Sequence, residues 1–575
     1  MEIEDGRKRV VIEGIRPAVD DGRFPVKRTV GDTVEVEADV FTDGHDALSA
    51  VLLYRKAVED PDSGEEPEPW RETAMEPLVN DRWRGSFPVD RIGRWELTVE
   101  GWVDRFKSWR RDFVKRVEAG QDVTVDLEIG ARLVRNAAGR ARGKDAKVLS
   151  GLADSLSTEG LEPGDDLGDR VELALDDELF RLVERHPNRR HATRHPRLIP
   201  LQVDRERARY STWYEMFPRS AGPAGRHGTF RDVIERLPYV ARMGFDVLYL
   251  PPIHPIGETF RKGKNNSVVA EPGDLGSPWA IGSKEGGHTA IHPELGTLED
   301  FHALVAAAGE HGMEIALDIA FQCAPDHPWV EEHPEWFRTR PDDTIQYAEN
   351  PPKKYQDIYP FDFETEAWRE LWQALKGVFD YWIEQGVRIF RVDNPHTKPF
   401  AFWEWTIREI QEERPDVLFL AEAFTRPKVL YRLAKLGFTQ SYNYFPWRHT
   451  QQELAEYLTE LTNPPVSDLC RANLWPNTPD ILTEHLQTGG RAAFMARLVL
   501  AAALSPTYGI YGPAYELMES APRERGSEEY LNSEKYQIRD WDLKRADSLR
   551  HFIARVNRIR RDHTALHYSG NVAFH

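Results

Sequence analysis

From about residue 208 onward the chain alternates between short β-type runs and amphipathic helical patterns, and this constrains its fold more than any other feature. Eight β candidates fall at 210–217, 245–250, 313–320, 386–394, 417–424, 438–445, 471–475 and 505–512. Between them lie segments of helical period at 230–243, 298–309, 366–384, 401–413, 428–436 and 451–461. Eight strands, most followed by a helix, are what a (β/α)8 barrel requires, whereas an open doubly wound sheet usually stops sooner and wants a Gly-rich first turn. No G-x-G-x-x-G follows Phe217. Strand centres step by roughly 20 to 35 residues except after the second and third strands, where they step by roughly 70. Those two βα loops therefore carry insertions, about 251–296 and 321–364, and such loops wall the substrate site of a barrel.

Ahead of the barrel the periodicity is two. Thr33 to Phe41 alternates strictly, and 50–55, 82–87 and 95–103 are short β runs between Gly, Pro and Asp clusters. This predicts an α/β chain with an N-terminal β-sandwich over 1–133, of immunoglobulin-like size. A charged helical stretch, 134–196, follows, and a returning strand near 197–208 makes it an insertion into the sandwich. The barrel then occupies 209–565.

Charge and cysteine content narrow the function. Lys plus Arg is 75 against 95 Asp plus Glu, a formal net charge of −20, which argues against nucleic acid or an anionic membrane as partner. Cys323 and Cys470 alone cannot make a disulfide framework or a Cys-based zinc site. The N-terminus lacks the pattern of a secretory signal, and the best apolar run, 492–504, is broken by Arg497 and too short to span a bilayer, so a cytoplasmic protein is expected.

Carboxylates collect at the ends of the strand candidates: Asp318 on the third, Asp393 on the fourth, Glu422 on the fifth and Asp480 just beyond the seventh. A single strand-end acid is more often a cap or ion-pair partner, but four in ordered positions suit glycosyl transfer, which needs a nucleophile and an acid/base facing it. His288, His292 and His327 match no compact metal-ligand spacing. No metal and no cofactor is expected. Trp279, Trp329, Tyr359 and Trp447 are candidates for stacking on sugars, with core packing the commoner fate.

These strand ends carry a resemblance. Arg388-Ile-Phe-Arg391-Val-Asp393 is similar to the strand-four motif of the α-amylase superfamily, glycoside hydrolase family 13, and Leu418-Phe-Leu-Ala-Glu422-Ala-Phe424 to its strand-five motif. Leu474 to Asp480 and Ser505 to Tyr511 resemble the segments of strands seven and eight. Amylases usually carry Asn-His after the strand-three Asp and a His before the third acid; this chain has Asp318-Ile-Ala-Phe-Gln322-Cys323 and Thr478-Pro479-Asp480. Those departures weaken the case for the calcium site of many amylases and for ordinary starch hydrolysis. With Asp393-Asn-Pro-His-Thr-Lys-Pro399, Gln322 to Trp329 and Tyr347 to Tyr355, the chain resembles the α-1,4-glucan:maltose-1-phosphate maltosyltransferases over nearly its whole length.

The resemblance implies roles. Asp393 is the nucleophile, Arg391 holds it ionised and oriented, Glu422 is the acid/base and Asp480 stabilises the transition state. Asn350, Lys353, Tyr355 and Asn394 resemble phosphate contacts, and Lys264, Gln322, Asp357, Lys535 and Tyr536 donor-binding positions. The implied substrates are maltose-1-phosphate and an α-1,4-glucan, and the implied assembly is a homodimer. It also implies a C-terminal β-sandwich, of which 566–575 is the start, so that domain is expected to be truncated. The competing readings are an α-glucan hydrolase or transglycosylase that uses no phosphate, and a non-catalytic carbohydrate-binding protein.

Overall fold

The computed structural model describes residues 5–58, 64, 66–160, 165–351 and 353–575, with only the backbone at 353. The chain divides into two compact units: residues up to Val26 with Gly31–Asp90 and Arg94–Leu201, and Lys27–Val30 with Arg91–Gly93 and Gln202–His575.

In the second unit eight parallel strands form a barrel: β1 (Ser211–Glu215), β2 (Val247–Leu250), β3 (Glu314–Ile319), β4 (Ile389–Val392), β5 (Leu418–Ala421), β6 (Gln440–Ser441), β7 (Asn473–Leu474) and β8 (Thr507–Tyr511). They run side by side as β6-β5-β4-β3-β2-β1-β8-β7. A parallel bridge between Ser441 and Ala472 brings β6 to β7 and closes the ring. Each strand is shorter than its sequence run because the apolar residues at its ends continue into turns. Helices Phe230–Met243 and Leu298–Glu310 start at Thr229 and Thr297, whose side chains form capping boxes with Asp232 and Asp300.

The barrel interior is Trp213, Val247, Tyr249, Ala316, Ile389, Leu418, Leu420, Tyr442 and Trp475, together with Ala208. Successive strand residues face opposite ways, so every second residue points inward. Stepping by two from the core reaches Glu215 from Trp213, Asp318 from Ala316, Arg391 and Asp393 from Ile389, and Glu422 from Leu420. Filling this interior with Trp475 demands space on β8, where a Cβ at Gly509 would lie 2.3 Å from the indole.

Two long connections rise above the strand C-termini. The one after β2 runs to the helix at Leu298. The one after β3 carries two small hairpins, Gln322–Cys323 with Tyr359–Pro360 and Ala348–Asn350 with Lys353–Tyr355, before helix Trp368–Glu384.

In the first unit one sheet runs Val10–Arg16, Thr33–Thr42, Arg82–Pro88, Glu76–Pro77. A second sheet has Gly93–Val103 between Leu48–Lys56 and Ile199–Asp204, the strand that returns after the helices. The helical stretch begins well before residue 134. Helices Arg105–Glu118 and Thr124–Arg140 precede Gly143–Leu156, and Asp104 starts the first by accepting from the Phe106 and Lys107 amides. Period two gives way at that cap, and Phe106, Trp109, Phe113, Leu127 and Val134 then build a helical core of their own. Residues 566–575, expected to begin another domain, form no strand; a 3-10 turn spans Thr564–His567.

Candidate active site

The backbone ladder carries the chemistry upward. Asp393 N donates to the Ile319 carbonyl at 2.8 Å and Glu422 N to the Val392 carbonyl at 3.0 Å, so both acids extend strand geometry one residue past β4 and β5. Arg391 pairs across the sheet with Asp318. Its guanidinium then organises the floor of the site: Nη1 lies 2.8 Å from Asp318 Oδ2 and 2.9 Å from Asp393 Oδ1, and Nη2 lies 2.7 Å from Glu422 Oε1. Tyr249 donates its hydroxyl to Asp318 Oδ2 at 2.5 Å. The rings of Tyr249 and Tyr442 each lie 5.8 Å from the guanidinium carbon.

All these groups are buried, and one cation serves three carboxyls, so they cannot all ionise equally. Burial opposes charge on Asp393, but Arg391 and then Lys398 outweigh it and hold this carboxyl below its ordinary value. Burial pushes Glu422 up to about 8, with Asp393 and Asp480 adding to the shift against the pull of Arg391. Burial likewise pushes Asp318 up to about 7. Glu215, also buried, is pushed well above the carboxylate range. A raised Glu422 beside a lowered Asp393 is the arrangement of a protonated acid next to an ionised one.

Asn394 adopts a left-handed backbone, φ 42 and ψ 53, at the start of the short turn Pro395–Thr397. This points its amide N–H at Glu422 Oε2 and its side-chain amide at Asp393 Oδ2, both at 3.3 Å. Asn tolerates that conformation better than a branched residue would.

Above this floor opens a cavity of about 1180 Å³. Of the residues anticipated from sequence, Gln322, Asn350, Tyr355, Asp357, Asp393, Asn394, Glu422, Asp480, Lys535 and Tyr536 all line it. Gln322 is fixed by its amide donating to the Trp279 carbonyl at 3.1 Å. Asp480 pairs with Lys535 at 2.5 Å, and the Lys535 ammonium sits 4.9 Å from the Trp279 ring centre. Lys353 pairs through its backbone with Asn350, while its side chain lies outside the described residues.

Lys264 is the misplacement. Its side chain is 63% exposed and reaches only to 4.0 Å from Asp274, away from the cavity wall. Lys262, two residues earlier, is the lysine that lines the cavity, buried, with Nζ 3.4 Å from the Lys354 carbonyl. The turn at Gly263 separates the two side chains, and spacing alone in Arg261-Lys-Gly-Lys264 does not say which faces inward. Sequence reasoning also left Lys398 and the loop 523–529 unassigned, although both line the same cavity.

The histidines have local partners. His288 Nε2 donates to the Ala320 carbonyl at 3.0 Å, and its Nδ1 meets His327 Nε2 at 3.1 Å. His327 Nδ1 accepts from Trp329 N at 3.0 Å. Those two rings and Cys323 come together closely enough to hold an ion. Every ring nitrogen of His288 and His327 is nevertheless already hydrogen bonded, and burial keeps the Cys323 thiol protonated. The trio is a structural pin beneath Trp329, which stacks on His288 at 5.4 Å.

Known proteins match nearly the whole chain. The family described as "Alpha-1,4-glucan:maltose-1-phosphate maltosyltransferase, domain N/S" matches residues 8–205, and "Alpha amylase, catalytic domain" matches residues 214–387. A protein of Chlorobaculum tepidum named alpha-1,4-glucan:maltose-1-phosphate maltosyltransferase is 56% identical over 571 residues, which cover 99% of this chain and 83% of the relative. One of the same name from Myxococcus xanthus is 53% identical over 570 residues, covering 98% and 84%. Among solved structures, an α-amylase of Lactobacillus plantarum superposes with a TM-score of 0.50 at 24% identity, covering 63% of this chain and 82% of that one, a likeness of fold. The chain belongs to the α-1,4-glucan:maltose-1-phosphate maltosyltransferase family.

Proposed function

We propose that this chain transfers maltosyl units from α-maltose-1-phosphate to the non-reducing end of α-1,4-glucans with net retention, releasing phosphate. The observation that carries the reading is the Arg391 cluster, one guanidinium gripping both Asp393 and Glu422, under a cavity whose walls hold Asn350, Tyr355, Lys262 and Lys535.

Asp393, ionised, attacks the anomeric carbon, and the bond to phosphate breaks with its electron pair leaving on the phosphate oxygen. Phosphate needs little protonation to depart, so Glu422 can keep its proton. Forming the glycosyl ester removes the charge of Asp393, one of the influences that raised Glu422. The Glu422 carboxyl therefore becomes easier to deprotonate when a base is wanted. It then takes the proton of the acceptor's 4-hydroxyl as that oxygen displaces Asp393. Asp480, held by Lys535, binds ring hydroxyls of the reacting glucose.

A retaining site needs its two carboxyls about 5 to 5.5 Å apart when the sugar lies between them. Arg391 holds both carboxyls through separate nitrogens, Nη1 on Asp393 and Nη2 on Glu422. Homodimerisation and residence in the cytoplasm, expected of the family, belong to the same proposal, and light scattering tests the first. Among the described residues no helix is long and apolar enough to cross a membrane.

The test is phosphate release from maltose-1-phosphate with and without maltohexaose. Acceptor-dependent release with elongation of the glucan is expected. Vigorous starch hydrolysis with no phosphate-dependent transfer favours the phosphate-independent hydrolase instead.

A further inference from the structure

The cavity gathers carboxyls faster than it gathers cations. Asp393 and Glu422 line its floor with Glu215 and Asp318 buried near them, and Asp480 stands on its wall. Arg391 is divided among three of them. Lys535 is committed to Asp480, and Arg523 to Glu524 and Glu529. A donor that carries a phosphate must bring its own charge up to the ionised Asp393.

Lys398 is differently placed. Its ammonium reaches back over the turn that follows β4 and donates to the carbonyls of Asp393 and Asn394, each at 3.3 Å. Among the described residues no carboxylate lies within ion-pair distance of it. It lines the cavity and remains partly open to it. The same turn is closed by Thr397, whose hydroxyl donates to the Asn394 carbonyl at 2.8 Å, so ammonium and hydroxyl converge on the residue with the left-handed backbone.

We propose that Lys398 is a positioning residue for the donor step: its ammonium fastens the Asp393–Asn394 turn and supplies the positive field that lets a phosphate-bearing donor approach an ionised Asp393. The inference rests on the maltose-1-phosphate reading for the identity of the donor, and on the turn geometry together with the charges around Asp393 for the effect on Asp393. The charged groups acting on Lys398 are Asp393, Glu422, Asp318 and Arg391, with His396 on its own turn. Of these, Asp393 gains most from the nearby cation, because Lys398 stands second only to Arg391 in favouring its charge. Burial pulls the Lys398 amine below its ordinary value, so its charge persists because these carboxylates oppose that loss.

Lys398→Met, Lys398→Gln and Lys398→Arg separate field from scaffold. Phosphate release from maltose-1-phosphate and fluoride release from α-maltosyl fluoride are measured across pH, with circular dichroism to confirm folding. For both neutral variants kcat/KM should fall roughly thirtyfold for the phosphate donor and about threefold for the fluoride, since only the phosphate carries charge to the site. With the fluoride donor the acid limb of kcat/KM should move up by about one pH unit as Asp393 becomes harder to ionise. Lys398→Arg should recover part of both effects. An equal loss for both donors with an unmoved acid limb, or an Arg variant no better than Met and Gln, overturns the proposal. If the parent chain releases fluoride but no phosphate, the donor reading fails on its own, and the acid-limb comparison still decides the role of Lys398.

Discussion

Exchanging Lys262 and Lys264, one at a time, for Met tests the placement of the donor site most directly. The two lysines share a turn, a charge and a chain length, yet the fold puts one in the cavity wall and the other in solvent. Lys262 Nζ lies 3.4 Å from the Lys354 carbonyl, on the hairpin whose other residues include Asn350 and Tyr355, and it is the foremost group favouring charge on the buried Asp357. A charge-assisted contact in such a site contributes about 1.5 to 3 kcal/mol, so Lys262→Met should lower kcat/KM for maltose-1-phosphate by about tenfold to 150-fold. Asp357, already raised by burial, should rise further, so the loss should deepen toward acid pH. Lys264, 63% exposed and 4.0 Å from Asp274, offers at most the ~1 kcal/mol of a surface pair, so Lys264→Met should change the constant by less than about fivefold. Initial rates of phosphate release at subsaturating donor give both values, and thermal unfolding checks that the turn survives. A larger effect at Lys264, or equal effects at both, would refute the assignment of the wall to Lys262.

Asp393→Ala should abolish donor cleavage, whereas Glu422→Ala given α-maltosyl fluoride should accumulate a maltosyl ester on Asp393, seen as a mass increment on that peptide; no adduct, or a β-configured product, counts against the double displacement. With maltooligosaccharide as donor, the alkoxide leaving group needs the Glu422 proton, so kcat/KM should fall as pH rises through about 8, while with maltose-1-phosphate it should hold nearly level there. Stability should also depend on pH through Glu516, which burial raises from 4.5 to about 7 although Tyr214 and Tyr239 donate to it. A raised carboxyl favours folding while protonated, so its contribution of about 3 kcal/mol is complete below pH 4.5 and lost as pH climbs through 7; melting temperatures should decline from pH 5 to pH 8, and Glu516→Gln should flatten that decline.

The barrel was legible because its strands have two demands that sequence records directly, apolar inward residues and turn residues at their ends. Helix Phe230–Met243 sits at the bounds its period predicts because Thr229 and Gly244 mark both ends, the first as cap and the second in a left-handed conformation. Strand lengths were overread, since β6 keeps only Gln440–Ser441 in the ladder while Tyr442 to Phe445 curve into a turn that still looks β-like. The sandwich boundary was overread for the opposite reason. Arg105 to Glu118 is too polar for its helical stripe to stand out in composition, yet Phe106, Trp109 and Phe113 share one buried face. At the site, Asp318, Arg391, Asp393 and Glu422 were readable from strand ends. Lys262 was not, because the conformation of a loop decides which of two neighbouring lysines turns inward, and no periodicity governs it.

That division follows from how the site is built. The groups proposed to break and form the glycosidic bond sit where the inward ladder of β3, β4 and β5 ends, and their spacing is fixed by strand register, as in the Asp318–Arg391 pairing. The groups that face the leaving group come from the connections after β2 and β3 and from the segment beyond β8, none of which shares that register. A barrel can therefore keep its nucleophile and acid/base while its loops change the charge of what leaves. On the proposal for Lys398 the two parts are electrically joined. Lys398 and Asn394 belong to the short turn that ends β4, so the nucleophile's own ionisation and the reception of an anionic donor draw on the same few atoms. On that proposal a change of leaving group from sugar to phosphate requires more than a basic loop, because the turn behind Asp393 must also carry enough positive charge for nucleophile and phosphate to be negative together.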